Sequence, residues 1–298
     1  MIGAAPALRP SQVWWLAVRP ATLAASVAPV LVGTAIAVHE GGALWWAGLL
    51  ALLVSLAMQI GVNFANDYSD HVRGTDAARV GPVRAASSGV VAPGSVRNAA
   101  IACFATAAVA GVVLSLAVDW RLLLVGAACL AAGWLYTGGP RPYGYFGLGE
   151  LFVFLFFGLV ATVGTVYVQT MRIDALTMLM GCGVGFLATA ILVLNNLRDL
   201  DTDAAAGKRT LATLIGRQPT RLLLVLLVAG AFTVPIVIFL THIASVTIMA
   251  MHFGIPIASV PVRTAIATTD AEALVRALKR MAFAELAYAL LFTLGILL

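Results

Sequence analysis

The sequence predicts an all-α, polytopic membrane protein with about nine transmembrane helices around a central cavity. Of its 298 residues, 61% are apolar and only 10% are charged, and the mean hydropathy is +1.00. Soluble domains usually carry about 25% charged residues. The apolar residues form long runs without the alternation of strands, which favours helices over a membrane barrel.

Each predicted span is an apolar run close to the roughly 20 residues that a helix needs to cross the hydrocarbon core. In chain order the spans are 22–38, 43–66, 98–118, 122–137, 148–168, 175–197, 220–240, 243–259 and 281–298. Polar segments separate them in the same order: HEGG, the stretch 67–97, DWR, the stretch 138–147, QTMRID, the stretch 198–219, the pair TH, and the basic stretch 260–280.

The distribution of basic residues predicts the orientation. Sixteen of the eighteen Lys and Arg residues fall on the side of the N-terminus and of the long connections, and only Arg121 and Arg172 fall on the other side. The positive-inside rule then makes the basic face cytoplasmic, with the N-terminus in and the C-terminus out. This predicts a multi-pass protein of the cell inner (plasma) membrane. The net charge of +5 reflects topology and contact with membrane lipid, and indicates no nucleic-acid partner.

The inner connections are long and the outer ones short, and long structured connections usually serve a function. We interpret residues 1–298 as one membrane domain, with 67–97 and 198–220 as cytoplasmic motif and cap loops.

Two acid-rich stretches close predicted spans at the inner face, NFANDYSDHVRGTD and NNLRDLDTDAAAGKRT. Asn63 stands four residues before Asp67, and Asn195 stands four residues before Asp199. This echo indicates two similar halves whose acidic ends face one site. A single cluster of this kind could merely cap or solvate a helix end, but two matched clusters at one depth favour a functional site.

Helix geometry sorts the acids, because each residue turns the direction by about 100°. Asp67 and Asp70 share one side, as do Asp199 and Asp203, whereas Asp201 points about 200° away from Asp199. Carboxylate and amide oxygens without Cys or His suit Mg²⁺, which usually binds through one or two carboxylates together with substrate phosphates. The two clusters therefore predict Mg²⁺ ions on either side of a diphosphate.

Both stretches resemble the paired aspartate-rich motifs of the UbiA superfamily of intramembrane prenyltransferases. RPATLAASVAPVLVGTA, YTGGPRPYGYFGLGE and GKRTLATLIGR are similar to the branch that prenylates 1,4-dihydroxy-2-naphthoate. The resemblance covers nearly the whole chain. It implies a UbiA-type fold and the transfer of a polyprenyl group from polyprenyl diphosphate to 1,4-dihydroxy-2-naphthoate, with loss of diphosphate and carbon dioxide.

By the same resemblance, Asp67 and Asp70 hold one Mg²⁺ ion and Asp199 and Asp203 hold the other, as catalytic residues. The implied substrate contacts are Asn63, Asn66, Asn195 and Arg198, with Arg84, Arg141 and Lys208 at the diphosphate. Tyr136 is implied to contact the diphosphate or the acceptor, and an interfacial anchor is the alternative for it.

A further acid departs from the common spacing. Many superfamily members carry the third acid of the first motif at the position of Gly74, whereas here it comes at Asp76. The resemblance to the naphthoate branch assigns Asp76 to the metal as well.

Two alternatives remain open from the sequence. The same fold could prenylate haem, a chlorophyllide or 4-hydroxybenzoate, or use a phosphoribosyl donor, although YTGGPRPYGYFGLGE disfavours these. A cation-coupled transporter would place its acids near the bilayer midplane, where only Glu285 lies deep in a predicted span. We interpret Glu285 as a residue satisfied by an interhelical contact.

Overall fold

Helices make up almost the whole of the described chain. The computed structural model describes residues 8–74 and 84–298, and within them it contains no strand, only an isolated bridge between Phe146 and Arg209. The α-helices are α1 (Pro10–Val18), α2 (Ala24–His39), α3 (Trp45–Arg73), α4 (Pro93–Ala117), α5 (Leu122–Leu135), α6 (Gly149–Val153), α7 (Ala161–Thr170), α8 (Ala175–Ala205), α9 (Leu211–Ile215), α10 (Arg217–Leu240), α11 (Ile255–Ala267) and α12 (Ala271–Leu297).

Shorter helical segments complete three of the membrane-crossing stretches. A 3₁₀ turn, Pro20–Leu23, joins α1 to α2, a π-helical segment, Phe154–Val160, joins α6 to α7, and a 3₁₀ segment, Val246–Gly254, leads into α11. A further 3₁₀ turn, Tyr143–Tyr145, lies in the connection between α5 and α6.

Eight helical stretches among the described residues are long and apolar enough to cross a membrane. They are Pro10–His39, Trp45–Arg73, Pro93–Ala117, Gly149–Thr170, Ala175–Ala205, Arg217–Leu240, Val246–Ala267 and Ala271–Leu297. The helix α5 is equally apolar but has 14 residues, fewer than the roughly 20 that a perpendicular crossing needs. The predicted all-α, polytopic class is therefore confirmed, whereas the count of nine spans and the orientation of the termini stay predictions.

The predicted connection 260–280 is wrong, because most of it is helical. The helix α11 runs to Ala267 and α12 begins at Ala271, so only three residues connect them. Asp270 caps α12, since its carboxylate accepts a hydrogen bond of 2.7 Å from the Ala273 N–H. The charged turns of both helices extend past the apolar part of the span, and their charges led us to expect a loop.

The described acids of both motifs also lie on helices and not in loops. The helix α3 continues to Arg73 and α8 continues to Ala205, so the predicted loop boundaries at 67 and 198 are too early. Each motif therefore has a rigid backbone. The described part of the first connection, residues 84–92, forms a series of turns that we call the cap.

The helix α8 lies at the centre of the bundle. Its buried residues, including Val184, Leu187 and Leu194, pack in the main apolar core with side chains from α2, α10 and α12. The π-helical segment approaches α8 closely, because a Cβ atom on Gly158 would stand 2.7 Å from the Gly181 carbonyl oxygen. Small residues that permit such contact are typical of membrane helix interfaces. The contact fixes α8, and with it the second acidic motif.

Glu285 does not make the predicted interhelical contact. Its side chain is fully buried in α12, and neither carboxylate oxygen forms a hydrogen bond with any described residue. It also lies outside the lining of the main cavity. The residue that a transporter would favour is thus separate from the acidic motifs.

Candidate active site

A cavity of about 460 Å³ joins the acidic helix ends to an apolar groove. Asp70, Asp199 and Asp203 line its charged end. The groove continues to Leu114 in the last turn of α4 and to Leu122 at the start of α5. Because these two residues lie at the opposite ends of the spans from the acids, the groove follows most of the bundle's thickness.

Asp70 is the centre of the contacts at the charged end. Its carboxylate accepts hydrogen bonds from Arg84 Nη2 at 2.9 Å and from the Tyr145 hydroxyl at 3.0 Å. Lys208 Nζ lies 4.0 Å from Asp70 and 3.9 Å from Asp203. Lys208 therefore bridges the first and second acidic motifs across the cavity, which brings the two halves of the predicted site together.

Asp67 has a different environment from Asp70. It is 1% exposed, and it is absent from the cavity lining. Its carboxylate accepts hydrogen bonds from the backbone N–H groups of Ala85 at 2.7 Å and Ala86 at 3.3 Å. This geometry differs from the predicted pairing of Asp67 with Asp70 at one ion, because Asp67 holds the cap and Asp70 faces the cavity.

The second motif separates its three acids as helix geometry predicts. Asp199 is paired with Arg198, whose Nε and Nη2 atoms lie 2.7 and 2.6 Å from its two oxygens. Asp203 lines the cavity near Lys208. The Asp201 side chain is 81% exposed and pairs with Arg217 at 2.8 Å. The predicted divergence of Asp201 from the other two acids is confirmed.

The predicted asparagines all line the cavity. Asn63 donates to the Val18 carbonyl at 2.9 Å, and the Asn66 amide oxygen accepts from the Thr137 hydroxyl at 2.7 Å. The Asn195 oxygen accepts from Arg198 Nη2 at 2.8 Å. These bonds fix the amide groups at the charged end.

The remaining predicted residues divide between the cavity and the surface. Arg84 and Tyr136 line the cavity. Arg141 is exposed and does not line it, so the predicted diphosphate contact of Arg141 has no support in the geometry. Arg198 is buried against Asp199, outside the cavity lining, and Asp76 lies outside the described residues.

Sequence reasoning missed Tyr145. Besides its bond to Asp70, its ring lies 5.0 Å from Lys208 Nζ and 5.4 Å from the Arg73 guanidinium carbon, both cation–π distances. The residue stands within YTGGPRPYGYFGLGE, but no spacing in that stretch indicates that its hydroxyl reaches the first motif. Only the fold of the connection between α5 and α6 brings it there.

The donor chemistry of the charged end fits Mg²⁺. Within the described chain no three His, Cys, Asp or Glu side chains stand close enough to hold a metal by themselves. The residues that reach the cavity offer carboxylate and amide oxygens, and Mg²⁺ needs only one or two carboxylates when phosphate and water complete its shell. Arg84 and Lys208 now balance the charge of the acids, so an ion would enter by exchange with these cations.

Comparisons with known proteins agree with this fold and site. Residues 26–290 match the UbiA prenyltransferase family. The structure is similar to a UbiA homolog from Archaeoglobus fulgidus bound to GPP and Mg²⁺, with a TM-score of 0.65 and 16% identity over 94% of this chain and 99% of that chain. The chain therefore belongs to the UbiA prenyltransferase family, and it is a prenyltransferase.

The named relatives define the similarity more narrowly. The chain is 50% identical over 222 residues to the 1,4-dihydroxy-2-naphthoate octaprenyltransferase of Mycobacterium tuberculosis, covering 74% of this chain and 76% of that protein. It is 36% identical over 225 residues to the enzyme of the same name from Escherichia coli, covering 71% of each.

Proposed function

We propose that this protein transfers a polyprenyl group from polyprenyl diphosphate to 1,4-dihydroxy-2-naphthoate, with Mg²⁺ and with release of diphosphate and carbon dioxide. The observation that carries the proposal is the cavity itself. Its acidic and basic end, where Lys208 lies between Asp70 and Asp203, opens directly into an apolar groove. A diphosphate with a long hydrocarbon tail has the same two-part chemistry.

The relatives support this choice of substrates. The relatives from M. tuberculosis and E. coli carry the name of the naphthoate reaction, and the A. fulgidus homolog of the same fold was solved with GPP and Mg²⁺.

The basic residues at the charged end suit the leaving group. Arg84 and Lys208 reach the cavity, and both present N–H donors to phosphate oxygens. Asp70, Asp199 and Asp203 would hold Mg²⁺, which would neutralise charge on the diphosphate. As the allylic C–O bond breaks, its electron pair leaves with the diphosphate. Arg84 and Lys208 would then stabilise the negative charge that results.

The acceptor then supplies the electrons for the new bond. The ring carbon that bears the carboxylate attacks the allylic carbon, and a C–C bond forms while the neighbouring ring hydroxyl loses its proton and becomes a carbonyl. The C–CO₂ bond then breaks, its electrons restore the aromatic ring, and a proton returns to the oxygen. The net products are the prenylated diol, diphosphate and carbon dioxide.

In this proposal, Asp67 serves the cap and not the metal. Its two bonds to Ala85 and Ala86 hold the cap beside the charged end, where Arg84 of the cap reaches Asp70. A closed cap would exclude water, which would otherwise trap the allylic cation. We assign the ion of the first motif to Asp70.

We also infer that the charged end faces the cytoplasm. The support is the concentration of basic residues at this end of the bundle.

The test is direct. Purified protein in lipid is mixed with Mg²⁺, 1,4-dihydroxy-2-naphthoate and polyprenyl diphosphates of several lengths, and the products are identified by mass spectrometry. We expect a decarboxylated, prenylated naphthalenediol and one molecule of diphosphate per turnover. Turnover with 4-hydroxybenzoate and none with the naphthoate would contradict the proposed acceptor.

A further inference from the structure

A buried carboxyl group lies behind the cavity, outside the acidic motifs. Glu150, at the start of α6, is 6% exposed. Its Oε1 accepts a hydrogen bond of 2.8 Å from Asn196 Nδ2, and its Oε2 has no hydrogen-bond partner among the described residues. Burying a carboxyl group in this way costs free energy, and nothing in the diphosphate chemistry uses it.

The Glu150 bond orients a side chain that does reach the cavity. Asn196 lines the cavity, and its amide nitrogen is committed to Glu150. The amide oxygen is then the atom left for a ligand, and it makes no hydrogen bond within the described chain. An amide oxygen only accepts hydrogen bonds, so this position calls for a ligand that donates one.

Tyr136 adds a second polar group to the cavity lining. Its hydroxyl lies in the cavity lining without a hydrogen-bond partner in the part of the chain that the structure describes. A Cβ atom on Gly149, the chain neighbour of Glu150, would stand 3.4 Å from the Tyr136 ring and 3.5 Å from its hydroxyl, so the hydroxyl lies close to the start of α6. Burial raises the pKa of the Tyr136 hydroxyl, and the Glu150 carboxylate raises it further. The group is a neutral O–H.

An aromatic wall continues from Tyr136. The Tyr136 and Tyr143 rings are 5.4 Å apart at 63°, and the Tyr143 ring stacks on Phe152 at 4.0 Å and 26°. All three rings line the cavity. The Tyr143 hydroxyl donates a hydrogen bond of 2.9 Å to the Ala132 carbonyl, so it is already bonded within the chain and the Tyr143–Phe152 pair offers mainly apolar ring surface.

These features select between the two substrates of the proposed reaction. A diphosphate carries acceptor oxygens and negative charge, and the Asn196 oxygen with Glu150 behind it would repel both. A hydroxylated aromatic ring carries a donor O–H and a flat face, which match the amide oxygen and the wall. A phenol that donates to such an oxygen also gains electron density in its ring, which favours attack on an allylic cation.

We propose that Asn196 and Tyr136 form the binding site for a ring hydroxyl of the aromatic acceptor, with Glu150 as the positioning residue that keeps the Asn196 oxygen turned toward it. The proposal rests on the proposed function, and it adds where the acceptor binds and which of its groups is recognised.

The test is a double-mutant cycle that combines a substitution in the protein with removal of one hydroxyl from the acceptor. KM for the acceptor is measured for wild type and for Asn196→Leu, with 1,4-dihydroxy-2-naphthoate and with the two analogues that each lack one hydroxyl. We expect Asn196→Leu to raise KM for the dihydroxy acceptor about tenfold, while KM for the prenyl diphosphate changes less than about twofold. For the analogue that lacks the recognised hydroxyl, the same substitution should have no further effect. Equal effects on all three acceptors, or an equal rise in KM for the prenyl diphosphate, would overturn the site.

Two further pairs of variants test the positioning role of Glu150 and the contact of the Tyr136 hydroxyl with the acceptor. Glu150→Gln keeps an oxygen that accepts from Asn196 and should stay within about threefold of wild type, whereas Glu150→Leu should reproduce the acceptor selectivity of Asn196→Leu. Tyr136→Phe should raise KM for the acceptor, whereas the matched change Tyr167→Phe, at a hydroxyl bonded to Asp119 outside the cavity, should leave it unchanged. An acceptor KM in Glu150→Leu that equals the wild-type value would refute the positioning role.

Failure of this inference differs from failure of the proposed function. If wild type prenylates a different hydroxylated aromatic acid, the proposed acceptor is wrong, and the same cycle with that acid and its deoxy analogue still decides whether Asn196 binds a hydroxyl.

Discussion

The two acids of the first motif should differ in their relation to Mg²⁺. We expect Asp70→Asn to raise the Mg²⁺ concentration that gives half-maximal rate and to lower turnover at least about 100-fold. Two unit charges 4.0 Å apart, as Asp70 and Lys208 are, interact by about 4 kcal/mol at an effective dielectric constant of about 20. Each 1.4 kcal/mol or so is about tenfold in rate. Losing about 2.8 kcal/mol, roughly two thirds of a term of this size, gives the expected loss.

Asp67→Asn should act differently, because its carboxylate holds the cap. Asparagine keeps one oxygen that can accept the Ala85 N–H, so the cap should lose about 1–2 kcal/mol of stabilisation. We expect turnover to fall by about tenfold and the Mg²⁺ requirement to stay within about twofold of wild type. Asp67→Ala should lower turnover further without changing the Mg²⁺ requirement.

The assay measures initial rates over a Mg²⁺ titration, with equal amounts of folded protein in lipid. Hydrogen exchange at the amides of Ala85 and Ala86 gives an independent readout of the cap, and it should accelerate in both Asp67 variants but not in Asp70→Asn. If Asp67→Asn raises the Mg²⁺ requirement as much as Asp70→Asn does, Asp67 is a ligand and its assignment to the cap is refuted.

Four other outcomes are expected. Asp203→Asn should lower turnover by orders of magnitude. Asp201→Asn removes only an exposed ion pair, worth about 0–1 kcal/mol, and its turnover should stay within about tenfold of wild type. Comparable losses of turnover in the two variants would contradict the helix geometry. Excess chelator should abolish turnover and Mn²⁺ should restore it, because the proposed ligands are all oxygen; full activity in chelator would exclude the metal site. In a background without the native cysteines, Ser87→Cys should react with an impermeant thiol reagent only in inside-out vesicles and Trp120→Cys only in right-side-out vesicles; the reverse would invert the topology. Glu285→Met should raise the thermal midpoint, because a buried carboxyl without a hydrogen bond costs about 1–3 kcal/mol; a lower midpoint would indicate a partner for Glu285.

The sequence was sufficient to predict the class of fold and the directions of the three acids in the second motif. Long apolar runs leave few alternatives to helices in a membrane, and the period of about 3.6 residues correctly separated Asp201 from Asp199 and Asp203. These are local properties, since a helix fixes the directions of its own side chains without reference to the rest of the chain.

Tertiary contacts account for what the sequence could not predict. Asp67 and Asp70 are only about 60° apart on α3, and the cap, which folds back from residues 84–92, decides which of them faces the cavity. Arg141 and Tyr145 stand four residues apart in one connection, yet Arg141 points to the surface and Tyr145 reaches Asp70. Helix ends such as those at Ala267 and Ala271 depend on how far a helix extends beyond the membrane, which hydropathy does not report.

Three glycines in the groove bear on how substitutions could change the space that it offers to a hydrocarbon tail. Gly111, Gly126 and Gly164 line the cavity, and a Cβ atom on any of them would meet no other atom within 4 Å. An added methyl group at any of these positions therefore displaces no neighbouring atom, so packing places little constraint on it. Single substitutions at these positions would therefore change the space that the groove offers to the tail of the proposed substrate of this prenyltransferase, while the charged end and its chemistry stay as they are.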